Sequence, residues 1–174
     1  LIFSSQIFNN RISPFFITED NLRSSTDVFP IKFLTIRESY ILLSGTDILQ
    51  QIVIGQEHLR LRCEQEVKNL LLRLRRHYIM SGGQGLNEMM SRMIIGFLET
   101  LRIILYLIKN EMPARQEVID LAEKEFNIEG TVLKKIREMH NSVSNLSREN
   151  LEEVYNGFTL IVEKIARFTD QFEK

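Results

Sequence analysis

The spacing of hydrophobic residues changes near residue 55. Before that point, β-branched and aromatic residues occur in short runs separated by turn-forming residues, which is the pattern of short strands. The predicted strands are Leu1 to Phe3, Phe15 to Thr18, Phe29 to Ile36 and Tyr40 to Leu43. The turn Ser44-Gly45-Thr46-Asp47 is expected to cap a short helix from Ile48. The sequence therefore predicts a small strand-rich unit over residues 1–53.

From about Gln56 to the end of the chain, apolar residues recur with the period of an α-helix. Glycines 82 and 83 favour the end of one helix, and Pro113 is of the type preferred at the first position of another. The predicted helices are about Gln56 to Met80, Leu86 to Asn110, Pro113 to Phe126 and Gly130 to His140, with a fifth that follows the loop Asn141 to Ser147 and ends at about Phe172. We therefore expect a mainly α fold, with a four- or five-helix bundle over residues 54–174 behind the strand-rich unit.

The first of these helices has two apolar stripes. When residues are placed at 100° intervals around the helix axis, the apolar ones form one stripe and a second stripe on the nearly opposite face. The first contains Leu59, Cys63, Val67, Leu70 and Leu74, and the second contains Leu61, Leu72 and Ile79. We expect a helix with two such stripes to be packed on two sides, between the strand-rich unit and the rest of the bundle.

The second helix is the most apolar segment of the chain. It also contains four charged residues that fall on one narrow stripe, namely Glu88, Arg92, Glu99 and Arg102. Each uncompensated charge at the centre of a bilayer costs roughly 2.5 to 3.5 kcal/mol on insertion scales. We therefore interpret this segment as the central core helix, and we expect no membrane partner.

Composition and charge exclude several classes of protein. Hydrophobic residues make up 44% of the chain and charged residues 26%, as in ordinary globular proteins. The net charge of -1 gives no broad attraction to nucleic acid, which is therefore not an expected partner. One cysteine cannot form an intrachain disulfide and no secretory signal pattern opens the chain, so we expect a cytoplasmic protein. Because the first residue is Leu1, we expect a longer parent polypeptide.

The usual catalytic and metal-binding motifs are incomplete. His58, His77 and His140 have no zinc-ligand spacing. The glycine-rich stretch at 81–85 lacks the Lys-Ser/Thr of a phosphate-binding loop, so we expect an interhelical turn. Cys63 lies on an apolar stripe, which favours a small core residue over a nucleophile. We therefore predict no catalytic residue and no metal ligand.

A cationic stripe on the first helix is the most ordered polar feature. Arg62, Glu66, Asn69, Arg73 and Arg76 share one face at spacings of four, three, four and three. Residues 56–80 contain six cationic side chains against three acidic ones. Such a stripe is able to line a cleft that holds phosphates, and the alternative is a solvated face of weak ion pairs. The candidate phosphate- or substrate-binding residues are Arg62, Glu66, Arg73 and Arg76.

Several ordered blocks resemble a known family. They are Asp27-Val-Phe-Pro-Ile-Lys-Phe-Leu-Thr-Ile-Arg37, Leu42-Leu-Ser-Gly-Thr-Asp47, His58-Leu-Arg-Leu-Arg-Cys-Glu-Gln-Glu66 and Leu72-Arg-Leu-Arg75. Together they resemble the back end of bacterial nucleotidyltransferase-like proteins of the polymerase-β superfamily, over most of residues 14–110. The resemblance implies a small mixed sheet whose last strand is Phe29 to Ile36, followed by a helical bundle that covers the active-site cleft.

The acidic residues of that family are missing from this chain. Nucleotidyl transfer uses carboxylates of a Gly-Ser…Asp-x-Asp/Glu segment to hold two metal ions. No Asp-x-Asp or Asp-x-Glu occurs here, and the stretch Phe29 to Ile36, which resembles the family's last strand, lacks the third acid often expected near Thr35. The resemblance thus implies a substrate- or partner-binding C-terminal portion that is not catalytic alone. Mg²⁺ and a nucleoside triphosphate are then implied for the full-length parent, not for this chain, with an N-terminal catalytic half as partner.

The alternative function is a non-enzymatic helical interaction module that dimerises or binds a protein partner. The second apolar stripe favours it, because apolar surface and unpaired strand edges promote association.

Overall fold

The computed structural model describes residues 14–141 and 147–172. Within these ranges the chain forms helices and no strands. The helices are α1 (Glu19–Ser24), α2 (Pro30–Glu38), α3 (Gln56–Ser81), α4 (Leu86–Lys109), α5 (Val118–Phe126), α6 (Gly130–Asn141) and α7 (Arg148–Gln171). The five predicted helices correspond to α3 to α7, although α5 begins five residues after Pro113. The prediction of a mainly α bundle is confirmed.

The predicted strand from Phe29 to Ile36 is wrong, because this segment forms helix α2. Pro30 occupies the start of the helix, where its fixed φ suits the first turn and its missing N–H leaves no bond unmade. Thr35 fits a helix because its Oγ1 donates to the carbonyl oxygen of Ile31 at 2.9 Å. Phe33 and Leu34 are buried, and α2 packs against α3. Burial against a helix outweighs the β propensity of these residues.

The other predicted strands also need correction. Residues 15–18 and 40–43 have no regular secondary structure, and Leu1 to Phe3 lie outside the described residues. The helix expected from Ile48 is only a turn, in which the backbone N–H of Gln50 donates to Oδ1 of Asp47 at 3.2 Å. The described part of the N-terminal unit therefore consists of α1, α2 and a long connection to α3.

Helix α4 is the centre of the bundle, as predicted. Helices α3, α5, α6 and α7 all pack against it. Its buried residues include Met90, Ile94, Leu101 and Leu105, which lie on more than one side of the helix. Within residues 14–141 and 147–172, no helix is both long enough and apolar enough to cross a membrane.

Helix α3 is packed on one side only within the described chain. The stripe that begins at Leu59 and ends at Leu74 is buried against α4 and α7, as predicted. The second stripe is exposed, with Leu72 at 62% and Ile79 at 78% of full exposure. Within the described residues the prediction of packing on two sides is wrong, because residues 14–53 of the segment expected to form a covering sheet are helical or irregular.

Candidate ligand-binding cleft

A cleft of about 630 Å³ lies between α2, α3 and α4. Its size falls within the range of roughly 300 to 1,000 Å³ that is usual for small-molecule sites. The lining residues are Phe29, Ile31 and Lys32 at the start of α2, Arg62, Glu66, Leu70 and Arg73 on α3, and Arg92, Met93, Gly96, Phe97, Glu99 and Thr100 on α4. The cleft is thus large enough for a ligand of nucleotide size.

Three of the four predicted site residues line this cleft. They are Arg62, Glu66 and Arg73, which the helical spacing places on one face of α3. Nη2 of Arg62 lies 2.6 Å from Oε1 of Glu66 in an i,i+4 ion pair. Arg76 does not line the cleft; it contributes to a second hollow of about 370 Å³ along α3, which Glu66 and Arg73 also line.

Two further cations of the cleft were not included in the predicted set. Arg92 projects from α4, and Lys32 lies in the first turn of α2. The Nζ atom of Lys32 lies 3.5 Å from the ring centroid of Phe15, a cation–π contact. Arg92 belongs to the charged stripe that argued against a membrane span. The charged stripe could have identified Arg92 as a cleft residue, because charged side chains on a core helix must face a polar space.

The cations of the cleft outnumber its carboxylates. Glu66 is paired with Arg62, and Oε1 of Glu99 lies 3.0 Å from Nε of Arg115, which is outside the cleft. Neither Arg73 nor Arg92 has a carboxylate within ion-pair distance in the described ranges. Two uncompensated guanidinium groups at a partly enclosed surface produce a positive potential that attracts anions.

The floor of the cleft is apolar. Leu70 and Phe97 are buried in the core beneath it, and Met93 packs against that core. Gly96 lies in the middle of α4, where a Cβ atom would meet no atom within 4 Å outside the adjacent residues and the nearby backbone of its own helix. Glycine in a helix interior lowers the stability of the helix by about 1 kcal/mol relative to alanine. The open space at this position is therefore accompanied by a loss of helix stability.

A buried arginine fixes two walls of the cleft relative to each other. Arg102 of α4 is only 7% exposed. Its guanidinium donates to both carboxylate oxygens of Glu38, at 2.5 and 2.8 Å, and to the carbonyl oxygen of Pro113 at 2.7 Å. A bidentate arginine–carboxylate pair is strong and directional. It therefore holds the end of α2 against α4.

The remaining candidate groups have structural environments. Cys63 is buried, and this burial raises the pKa of its thiol, with a smaller contribution from the charge of Glu66. The prediction that it is a core residue is confirmed. The interhelical turn is confirmed too, with positive φ at Gly82, Gly83 and Gly85.

The described residues contain no group of three or more His, Cys, Asp or Glu side chains placed to hold a metal ion. Two of the histidines instead donate to backbone carbonyl oxygens. His77 does so to Gln84 at 3.0 Å, and His140 to Ser91 at 2.6 Å.

Comparison with protein-family models, with curated proteins and with solved structures finds no significant match to this chain. The fold and the site define a helical bundle with a cationic cleft of ligand size.

Proposed function

We propose that this chain is the ligand-binding helical portion of a nucleotidyltransferase-like protein, and that its cleft binds the phosphates of a nucleotide. The observation that carries this proposal is the pair Arg73 and Arg92. They come from the adjacent helices α3 and α4, line one cleft, and have no carboxylate partner in the part of the chain described above. Guanidinium groups bind phosphate oxygens with paired N–H donors, and they keep their charge throughout the physiological pH range.

The resemblance supports this proposal through its helical blocks. The stretch His58 to Glu66 lies in α3 and provides one wall of the cleft. The stretch that the resemblance assigned to a last strand is α2, so the sheet contributes nothing to the proposal.

We assign no catalytic step to this chain, since the Asp-x-Asp or Asp-x-Glu pair that holds metal ions in that superfamily does not occur in its sequence. In this proposal Mg²⁺ and the reaction belong to the longer parent protein.

A thermal-shift titration with ATP and GTP, with and without Mg²⁺, tests the phosphate site. We expect the melting temperature of the wild type to rise with nucleotide concentration, because a ligand at 100 times its Kd adds about 2.7 kcal/mol to the free energy of unfolding. Arg73→Ala should abolish most of this rise. High salt should reduce it, since exposed charges are screened.

Arg76→Ala is the matched control. It removes the same charge from the same helix, three residues away, at a position outside the cleft. We expect it to keep the wild-type response. A flat titration of the wild type would contradict the proposal, and a response that survives Arg73→Ala would show that nucleotide binds elsewhere.

The second candidate function is a helical interaction module that dimerises or binds a protein partner. It is favoured by the exposed Leu72 and Ile79 of α3 and by the consecutive exposed residues Ile41, Leu42 and Leu43. Apolar surface of this kind is typical of protein contacts. The oligomeric state tests this candidate, and the two functions do not exclude each other.

A further inference from the structure

The lining of the cleft is chemically divided. Arg73 and Arg92 supply positive charge, whereas Phe29 and Met93 supply aromatic and apolar surface. Inorganic phosphate or polyphosphate would use only the charged part. The ligand that matches both parts has an anionic end joined to a planar, weakly polar body.

Phe29 is the aromatic residue with the most exposed surface in this cleft. It is 39% exposed, and it also borders an adjoining hollow that includes Phe15 and Asn21. Its ring lies edge-to-face with Phe15 and Phe33, with centroids 6.4 and 6.2 Å apart. Among the described residues no ring stacks parallel to it. Phe29 therefore offers aromatic surface to a ligand.

The position of Phe29 is fixed before any ligand arrives. Its backbone N–H donates to the carbonyl oxygen of Ser25 at 3.0 Å, and its own carbonyl oxygen accepts from the N–H of Phe33 at 3.0 Å. Phe33 is fully buried. A partly exposed ring on a backbone held in this way needs little ordering on binding, which favours affinity.

The open space at Gly96 lies on the α4 side of the same cleft. The absent side chain is not explained by close packing, because no atom outside the adjacent residues and the nearby backbone of α4 lies within 4 Å of the position a Cβ would occupy. A side chain at this position would extend into the cleft. The glycine thus keeps the volume that a planar group would fill.

We propose, building on the phosphate site above, that the ligand is a nucleoside phosphate whose base packs against Phe29 and over Gly96 while Arg73 and Arg92 bind its phosphates. The cleft then distinguishes a nucleotide from inorganic tripolyphosphate. Stacking of a base on an aromatic side chain changes affinity by about 5- to 100-fold.

Calorimetric titration with ATP and with tripolyphosphate tests this assignment on the wild type, Phe29→Leu and Gly96→Leu. We expect the wild type to bind ATP at least about 5-fold more tightly than tripolyphosphate. Phe29→Leu should remove that preference by weakening ATP alone. Gly96→Leu should weaken ATP by more than about 10-fold, because its side chain occupies the space of the base.

Ile95→Phe is the control for added bulk on α4, since Ile95 is exposed and lies outside the cleft. It should leave ATP binding unchanged. Circular dichroism and melting temperature establish that each variant is folded; if Phe29→Leu is not, Gly96→Leu tests the assignment by itself.

Two negative results have different meanings. If the wild type binds neither ATP nor tripolyphosphate, the phosphate function itself is overturned. If both ligands bind with equal affinity and the substitutions at Phe29 and Gly96 affect neither, the base site is overturned while the phosphate site stands.

Discussion

At the scale of single residues, the cleft is lined by side chains of three helices. Arg62, Glu66 and Arg73 share a face of α3, and helical spacing alone brings them together. Lys32 and Arg92 reach the same cleft from other helices, so their position depends on tertiary packing that no local spacing encodes.

Arg102 illustrates the same limit. Its partner Glu38 lies 64 residues away in the sequence, two residues after the end of a predicted strand. Burying an arginine requires such a partner, because an unpaired charge in the core is strongly unfavourable. The role of Arg102 in the charged stripe of α4 therefore depends on Glu38 of α2, which is distant in the sequence.

We expect Arg102→Ala to lower the free energy of unfolding by about 2 to 4 kcal/mol. The substitution leaves Glu38 and the carbonyl oxygen of Pro113 without their donor, and breaking a buried pair costs up to about 5 kcal/mol, part of which water recovers at the less buried Glu38. Urea unfolding measures the change.

Arg148→Ala serves as the control, because Arg148 forms an exposed i,i+4 pair with Glu152. We expect a loss below about 1 kcal/mol for it. Substitutions at the surface usually change the free energy of unfolding by less than about 0.5 kcal/mol. If Arg102→Ala changes it by no more than that, Arg102 does not hold the two cleft walls together.

At the scale of elements, long periodic segments were predictable and short ones were not. Helices α3, α4 and α7 each repeat their apolar pattern over several turns, which defines both type and position. Helix α2 has nine residues, too few to separate helical from strand periodicity. Pro30 indicates a helix start, whereas the β-branched and aromatic residues around it favour a strand.

The exposed stripe of α3 leads to a prediction from the interaction-module proposal. Multi-angle light scattering should give twice the chain mass of 20.5 kDa at high concentration, because pairing removes Leu72 and Ile79 from water. Replacing both by lysine should restore the monomer. Leu160→Lys, a change at an exposed leucine of α7, should not. A monomer mass for the wild type at every concentration would argue against self-association through this stripe.

At the scale of the whole molecule, the arrangement around α4 follows from its apolar residues, which cover more than one side. A helix of this kind must be surrounded, and α3, α5, α6 and α7 surround it. The cleft was not predictable in the same way. One of its walls is α2, whose secondary structure was predicted incorrectly, and another is formed by residues of α4 that were interpreted only as evidence against membrane insertion.

The most direct test of the central claim is to locate nucleotide on the protein by two-dimensional amide NMR during an ATP titration. We expect the shifted signals to come from the three cleft walls, namely the stretch from Arg62 to Arg73, the stretch from Arg92 to Thr100, and Phe29 with its neighbours in α2. Gly96 is the most diagnostic signal, because it lies at the open part of the floor. Shifts confined to Arg115, Arg137 and their neighbours, which line an adjoining hollow, or no shifts at millimolar ATP, would contradict the assignment of this cleft as the nucleotide site.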